Sequence, residues 1–220
     1  MIYDTILFDF DGTLADSNEL INRTHLRVLN ERFPGVYNEE SVRQFNGPSL
    51  DDVYGLLDPD HAEELIRRYR EYNAELHDDM IQLFDGVAEE LARLKDQGVT
   101  LAIVSTKRKD VLQKGIDVLG LHEYFAVVIG GDDYTYYKPN PEPIYCAMAE
   151  LNALHGRTIM VGDNGHDIQA AKNAGIPGVF VRWSQKTVAE IEQFQPDAVI
   201  ESMADLSVLI EKGLSFTHNE

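Results

Sequence analysis

The sequence predicts an α/β protein: a parallel sheet with helices on both faces and a helical cap inserted into it. Three observations predict this. Short β-branched and aliphatic runs recur along the chain, helix-period segments lie between most of them, and one long interval breaks the rhythm without a convincing strand. At 220 residues and 24.8 kDa, the length suits one large domain, or a core carrying a subdomain, at roughly 150 residues per domain.

Taken in order, residues 5–10, 99–105, 126–129, 158–161 and 177–181 read as buried strands, because each is a short apolar run rich in Val and Ile. Residues 87–97, 109–119, 141–154 and 167–174 carry helical periodicity between them. Ligands of such a sheet bind at the carboxyl ends of its strands. The interval from Ala15 to Leu83 is the exception. Leu20, Ile21, Thr24 and Val28 give its first helix an apolar face, and Asn46-Gly47-Pro48-Ser49 reads as a turn. Asp58-Pro59 offers an N-cap followed by proline, and Leu65, Tyr69, Tyr72, Leu76 and Met80 then repeat at helical spacing. The expected division is therefore a core of residues 1–14 and 84–220 with a cap of residues 15–83. The tail, residues 216–220, is polar and expected to fray.

Charge narrows the partners. Nineteen Lys and Arg against thirty-eight Asp and Glu leave a net charge of −19, so the averaged field repels nucleic acid and anionic membrane surfaces. No apolar run reaches membrane-spanning length, and the N-terminal residues lack the pattern of a secretory signal, so a cytoplasmic location is expected. The single Cys146 reads as a small packing residue. Partner proteins are not legible.

Four segments carry chemistry. Ile6-Leu7-Phe8-Asp9-Phe10-Asp11-Gly12-Thr13 runs an apolar strand into two acids one residue apart. Alternate strand residues point the same way, so the two carboxylates repel unless a cation or a shared proton joins them. A solvated Asp-Gly turn is the plainer reading of that motif alone. Ile103-Val104-Ser105-Thr106 ends a second strand in two hydroxyls before a helix start, which suits phosphate binding or ordinary capping. Lys138 stands between Tyr137 and Pro139 in a loop stiffened by Pro139 and Pro141, and a solvated lysine would look the same. Met160-Val161-Gly162-Asp163-Asn164-Gly165-His166-Asp167 places two further acids just past another strand, where a helix-start cap is the alternative.

Together and in this order, the four segments resemble the motifs of the haloacid dehalogenase superfamily of phosphotransferases across essentially the whole chain. The resemblance implies a Rossmann-like core with the cap inserted at residues 15–83. It implies Asp9 as nucleophile, Asp11 as general acid and base, and Lys138 as the cation that steadies phosphate and nucleophile. Ser105, Thr106, Lys107 and Lys138 would then bind phosphate. Asp9, Asp11 through its backbone, Asp163 and Asp167 in support would hold Mg²⁺. An acid at position 11, which the dehalogenases themselves lack, points to phosphoryl rather than halide chemistry.

Within the superfamily, the stretches NGPSL, IVSTK, KPNPEP, VGDNGHDI and QPDAVI resemble bacterial inorganic pyrophosphatases of this type. Asp85 departs from the proline that relatives often carry before that glycine, which bears only on the stiffness of the cap hinge. The resemblance implies a small phosphorylated substrate, first of all pyrophosphate, with phosphoglycolate as the alternative. A sugar phosphomutase on the same scaffold is a further rival; a phosphoaspartate receiver would need no cap. Lys107, Arg108 and Lys109 form the densest basic cluster. Because every cation of the cap is an arginine, Arg23 or Arg27 is a candidate for a distal phosphate, against plain surface placement. His166 is expected to cap or face solvent, and Trp183 to pack.

Overall fold

The computed structural model describes residues 1–214, apart from the Val188 side chain; the expectation of a frayed tail at 216–220 lies outside the described residues. In chain order the elements begin with β1 (Thr5–Phe8), β2 (Ala15–Asp16), α1 (Asn18–Arg32), a 3-10 segment (Ser41–Phe45), α2 (Leu50–Leu57), α3 (Ala62–Met80) and β3 (Gln82–Leu83). There follow α4 (Val87–Asp96), β4 (Thr100–Val104), α5 (Lys109–Val118), β5 (Val127–Ile129), α6 (Glu142–Leu151) and β6 (Thr158–Gly162). The chain continues through α7 (Gly165–Ala174), β7 (Gly178–Val181), α8 (Val188–Glu192), β8 (Ala198–Ile200) and α9 (Asp205–Lys212).

Six strands form one parallel sheet in the order β5-β4-β1-β6-β7-β8. Period-2 alternation divides β1 between two cores. Ile6 and Phe8 enter an apolar cluster with residues of α4, α5 and α9, while Leu7 faces the cluster built from α6 and α7. Complete burial on both faces explains why these strands read as continuous apolar runs. Each such side chain contributes about 1.5–3 kcal/mol on burial, which pins β1 at the middle of the sheet. Helices α1 to α3 enclose a third cluster around Leu29, Tyr54, Leu65 and Tyr69.

Several expectations need correction. The interval thought free of strands begins and ends in two-residue strands, with Ala15 paired to Leu83 and Asp16 to Gln82 in antiparallel register. Two residues are too few to show a period. Asp58 does not open α3; it closes α2, and its carboxylate is taken by Arg32 Nε at 2.6 Å and His61 Nδ1 at 3.0 Å. The helix starts three residues beyond Pro59. Of its predicted apolar stripe, Leu65, Tyr69 and Tyr72 are buried, but Leu76 and Met80 are only half-buried, while Asn73 and His77 go inside. That end of α3 leaves the apolar cluster and borders a cavity lined by Tyr69, Asn73 and His77. Strand β8 was not expected; its three residues follow Gln195-Pro196-Asp197 and are too short to stand out. Trp183 packs as expected, its indole N–H donating to the Thr13 carbonyl at 3.1 Å, and Cys146 packs against the α6–α7 cluster.

Candidate active site

Parallel pairing brings the predicted motifs to one edge. Phe8 is level with Ile103 of β4 and Val161 of β6, so the residues just past these strands, Asp9, Ser105 and Asp163, emerge side by side at the carboxyl ends. The Asp9 amide extends the pairing by donating to the Val161 carbonyl at 2.9 Å. Gly12 then turns the chain at φ +81°, and a Cβ built there would lie 2.3 Å from Asp163 Oδ2. Both the positive φ and this close approach require glycine.

Lys138 ties the motifs together. Its buried ammonium donates to Asp9 Oδ1 at 2.8 Å, Asp167 Oδ1 at 2.6 Å and the Val104 carbonyl at 3.0 Å. Burial works against the charged amine, but Asp167 and Asp9 outweigh it and hold its pKa above the ordinary lysine value. Asp167 also anchors α7: its Oδ2 accepts from the Asn164 amide at 3.1 Å while Asn164 Oδ1 accepts from the His166 amide at 3.2 Å. The helix-start reading of this motif therefore holds, and the same carboxylate pairs with Lys138 through its other oxygen.

Asp9, Asp163 and Asp167 form a buried cluster whose ligand oxygens lie within 4.8 Å of one another. Burial pushes the Asp9 carboxyl up to about 7, with Lys138 pulling down and Asp167 pushing further up. Burial likewise raises Asp163 well above the ordinary range, and Asp9 and Asp167 add to it. Among the described residues no donor reaches the Asp163 carboxylate, which lines the cavity. The Asp11 carboxylate stands apart from this cluster. It accepts from Ser17 Oγ at 2.6 Å and from Lys107 Nζ at 2.7 and 3.0 Å, and it is not one of the three clustered acids.

Ser105 is buried, and its Oγ accepts from the Lys107 amide at 3.2 Å; Thr106 reaches across to the Gly47 carbonyl at 3.4 Å. Gly47, at φ +107°, packs so tightly on Asn164 that a Cβ would lie 2.3 Å from its amide nitrogen. The NGPSL turn of the cap thus rests directly on the second acid motif. Between cap and sheet lies a cavity with Asp9, Asp11, Ser105, Thr106, Lys107 and Asp163 on the sheet side, faced by α3.

The predicted distal cations fall elsewhere. Arg27 stacks 3.5 Å over the Tyr72 ring and pairs with Glu75 at 3.0 Å, and neither it nor the exposed Arg23 lines the cavity. Arg108 and Lys114 line it, while Lys109 is drawn aside to Asp133 at 2.8 Å. Sequence reading missed Tyr69, Arg70, Asn73 and His77 on α3. The signal was present as polar residues at positions 69, 73 and 77, a four-residue spacing, inside a stripe taken as apolar. His77 Nδ1 contacts Asp78 at 2.9 Å, and its buried Nε2 has no partner among the described residues. Burial lowers the pKa of His166, which is half-buried rather than exposed.

Known proteins agree with this architecture. The family model for haloacid dehalogenase-like hydrolases matches residues 6–181. The chain is 44 % identical over 207 residues to "Pyrophosphatase PpaX" of Listeria innocua, covering 94 % of this chain and 95 % of the relative. A Clostridium acetobutylicum crystal structure described as a predicted phosphatase superposes with a TM-score of 0.87 at 27 % identity, covering 96 % of this chain and 100 % of that one. Another, described as a predicted phosphoglycolate phosphatase from Haemophilus somnus, gives 0.85 at 25 % identity, over 95 % and 98 % of the two chains. With the acid, hydroxyl, lysine and second acid motifs assembled on one sheet edge, the chain belongs to the haloacid dehalogenase-like hydrolases.

Proposed function

We propose that this hydrolase is a Mg²⁺-dependent phosphohydrolase that works through an aspartyl-phosphate on Asp9 and whose substrate is inorganic pyrophosphate. One observation carries the reading: a buried triad of acids, bridged by a single lysine, opens into a cavity between sheet and cap. Three carboxylates against one ammonium leave the triad short of positive charge. Asp163, buried and without a donor, is the group most in need of a cation, and hard carboxylate oxygens suit Mg²⁺. Asp9 and Asp163 would hold the ion with the Asp11 carbonyl. Asp167 supports them, since Lys138 and the Asn164 amide already occupy its two oxygens.

When bound, the ion offsets the charge between the Asp9 carboxylate and the phosphoryl oxygens. A carboxylate is a weak nucleophile toward an anionic phosphorus, so Lys138, fixed against Asp9, supplies the second part of that offset. Ser105 Oγ, at the carboxyl end of β4 beside Asp9, holds the transferring phosphoryl group. As an Asp9 oxygen bonds to phosphorus, the bond to the leaving oxygen breaks and Asp11 donates its proton there. Water then attacks the same phosphorus, Asp11 takes its proton, and Asp9 is released with inorganic phosphate.

Pyrophosphate is chosen over other phosphates because the chain shares 44 % identity with a protein named a pyrophosphatase, over 95 % of that protein's length. The Haemophilus somnus neighbour makes phosphoglycolate the second reading. The proposal includes the division into core, residues 1–14 and 84–220, and cap, residues 15–83, supported by the cap's own apolar cluster. It also places the enzyme in the cytoplasm. Among the described residues no helix is long and apolar enough to cross a membrane. Phosphate release from pyrophosphate, phosphoglycolate and glucose 1-phosphate under matched magnesium tests the substrate. A tenfold preference for phosphoglycolate in kcat/KM, about 1.4 kcal/mol in the transition state, would overturn it.

A further inference from the structure

Beyond the residues that carry the reaction, we infer that Arg70 of α3 is the specificity-determining residue of the cavity, gripping the second, leaving phosphate of the substrate. This rests on the pyrophosphatase reading and adds to it the residue that tells a diphosphate from a monoester.

Four cations line the cavity: Arg70, Lys107, Arg108 and Lys114. Three already have a carboxylate. Lys107 donates to both oxygens of Asp11, Arg108 donates to both oxygens of Asp110 at 2.7 and 3.1 Å, and Lys114 pairs with Asp78 at 2.7 Å. The exposed Arg70 side chain has no hydrogen bond or ion pair among the described residues, although its neighbours Arg67 and Arg68 on the same helix are paired with Glu71 and Glu31. Arg23 and Arg43 are likewise without a side-chain partner among the described residues, but neither lines the cavity, so Arg70 is the unpaired arginine that faces it. Its charge is felt at the Tyr137 phenol, where it opposes the upward push of burial, Asp51 and Asp52. Arg70 belongs to α3 of the cap and lines the cavity together with Tyr137, the residue that immediately precedes Lys138.

This placement matches the charge distribution of a diphosphate. The transferring phosphoryl group takes Ser105 and Lys138, and the leaving phosphate gains charge as its bond to phosphorus breaks. A guanidinium grips two phosphate oxygens at once, an interaction an ammonium cannot copy. Because the grip tightens as charge develops, its loss should fall on kcat as well as KM. A monoester such as p-nitrophenyl phosphate presents no second phosphate to Arg70.

The test compares pyrophosphate with p-nitrophenyl phosphate in wild type, Arg70→Gln, Arg70→Lys and Arg27→Gln, with thermal melts confirming that each folds. Expected is a fall of tenfold or more in the ratio of kcat/KM for pyrophosphate to that for p-nitrophenyl phosphate in Arg70→Gln, partial recovery in Arg70→Lys, and the wild-type ratio in Arg27→Gln. Pyrophosphate cleaved by wild type with the ratio unmoved in Arg70→Gln overturns the Arg70 assignment alone. A fall of equal size in Arg27→Gln also overturns it, since a general loss of cap charge would then explain both. No cleavage of pyrophosphate by wild type overturns the pyrophosphatase reading and this inference together.

Discussion

Replacing Asp9 by Asn should make the metal-free protein more stable while abolishing turnover. In the folded chain burial raises the Asp9 pKa from an ordinary 3.8 to about 7. A carboxyl whose folded pKa is raised binds its proton more tightly when folded. Its contribution is therefore neutral below the unfolded pKa and becomes destabilising as pH climbs from about 4 to about 7. At roughly 1.4 kcal/mol per unit, the penalty is about 4 kcal/mol at pH 8 and about 0.5 kcal/mol at pH 4. Asn removes that penalty but keeps an oxygen for Lys138, which also retains Asp167 at 2.6 Å. Lys138 stays protonated in folded and unfolded chains throughout this range, its folded pKa being raised. Allowing for the lost attraction to Lys138, a net gain of about 2–4 kcal/mol remains, or roughly 5–15 °C in Tm for a chain of this size. Urea denaturation and thermal melts in chelator at pH 4, 6 and 8 read the effect directly. Magnesium should then stabilise wild type at pH 8 and leave Asp9→Asn nearly unmoved. If the variant is the less stable protein at pH 8 in chelator, or if the gap is the same at pH 4 and pH 8, the account of Asp9 as a strained anion awaiting a cation is wrong.

Other perturbations follow from the same geometry. Chelation should abolish phosphate release and Mg²⁺ restore it, with Asp163→Ala shifting the half-saturating magnesium upward by tenfold or more; full turnover in excess chelator would remove the metal from the reaction. Lys138→Ala strips the only ammonium from a buried acid triad and should cost about 3–5 kcal/mol of stability as well as turnover, measured by urea titration. Gly12→Ala faces both φ +81° and Asp163 Oδ2 at 2.3 Å; about 1–2 kcal/mol of backbone strain and a displaced Asp163 should reduce kcat at least a hundredfold. Gly47→Ala, which drives a methyl group into Asn164, should loosen the cap and raise KM; unchanged kinetics would show that the turn gives way without consequence.

Most of the sheet could be read in advance because its central strands are buried on both faces and so present unbroken apolar runs, Thr5–Phe8 and Thr158–Gly162 being the clearest. The acid motifs were legible because the strand before each fixes where it must emerge. What escaped was set by long-range pairing. Ala15–Asp16 and Gln82–Leu83 are strands only because they meet each other across the whole cap. Asp58 looks like a helix start until Arg32, distant in sequence, takes its carboxylate. The inner end of α3 was misread for a related reason. An apolar stripe counts residues that avoid water, whereas Asn73 and His77 are buried where α3 lines the cavity.

That cavity also bears on how a chain of net charge −19 can bind an anion. Exposed charges more than about 8 Å apart are largely screened at physiological salt, so the excess acid over the surface slows approach without deciding what the site holds. Inside, the balance is local. Lys138 is shared by Asp9 and Asp167, and Lys107 is held by Asp11, so the sheet side of the site spends its cations on its own acids and Arg70 on the cap side is the cavity cation left unpaired among the described residues. A free polyanion would meet net negative charge at the triad, whereas a phosphate arriving with magnesium brings the missing cation to Asp9 and Asp163. The rate should therefore follow the concentration of the magnesium complex of the substrate, and excess free pyrophosphate over magnesium should inhibit. Initial rates across a magnesium-to-pyrophosphate titration separate the two species, and a rate that tracks free pyrophosphate instead would mean that the sheet edge binds the bare anion.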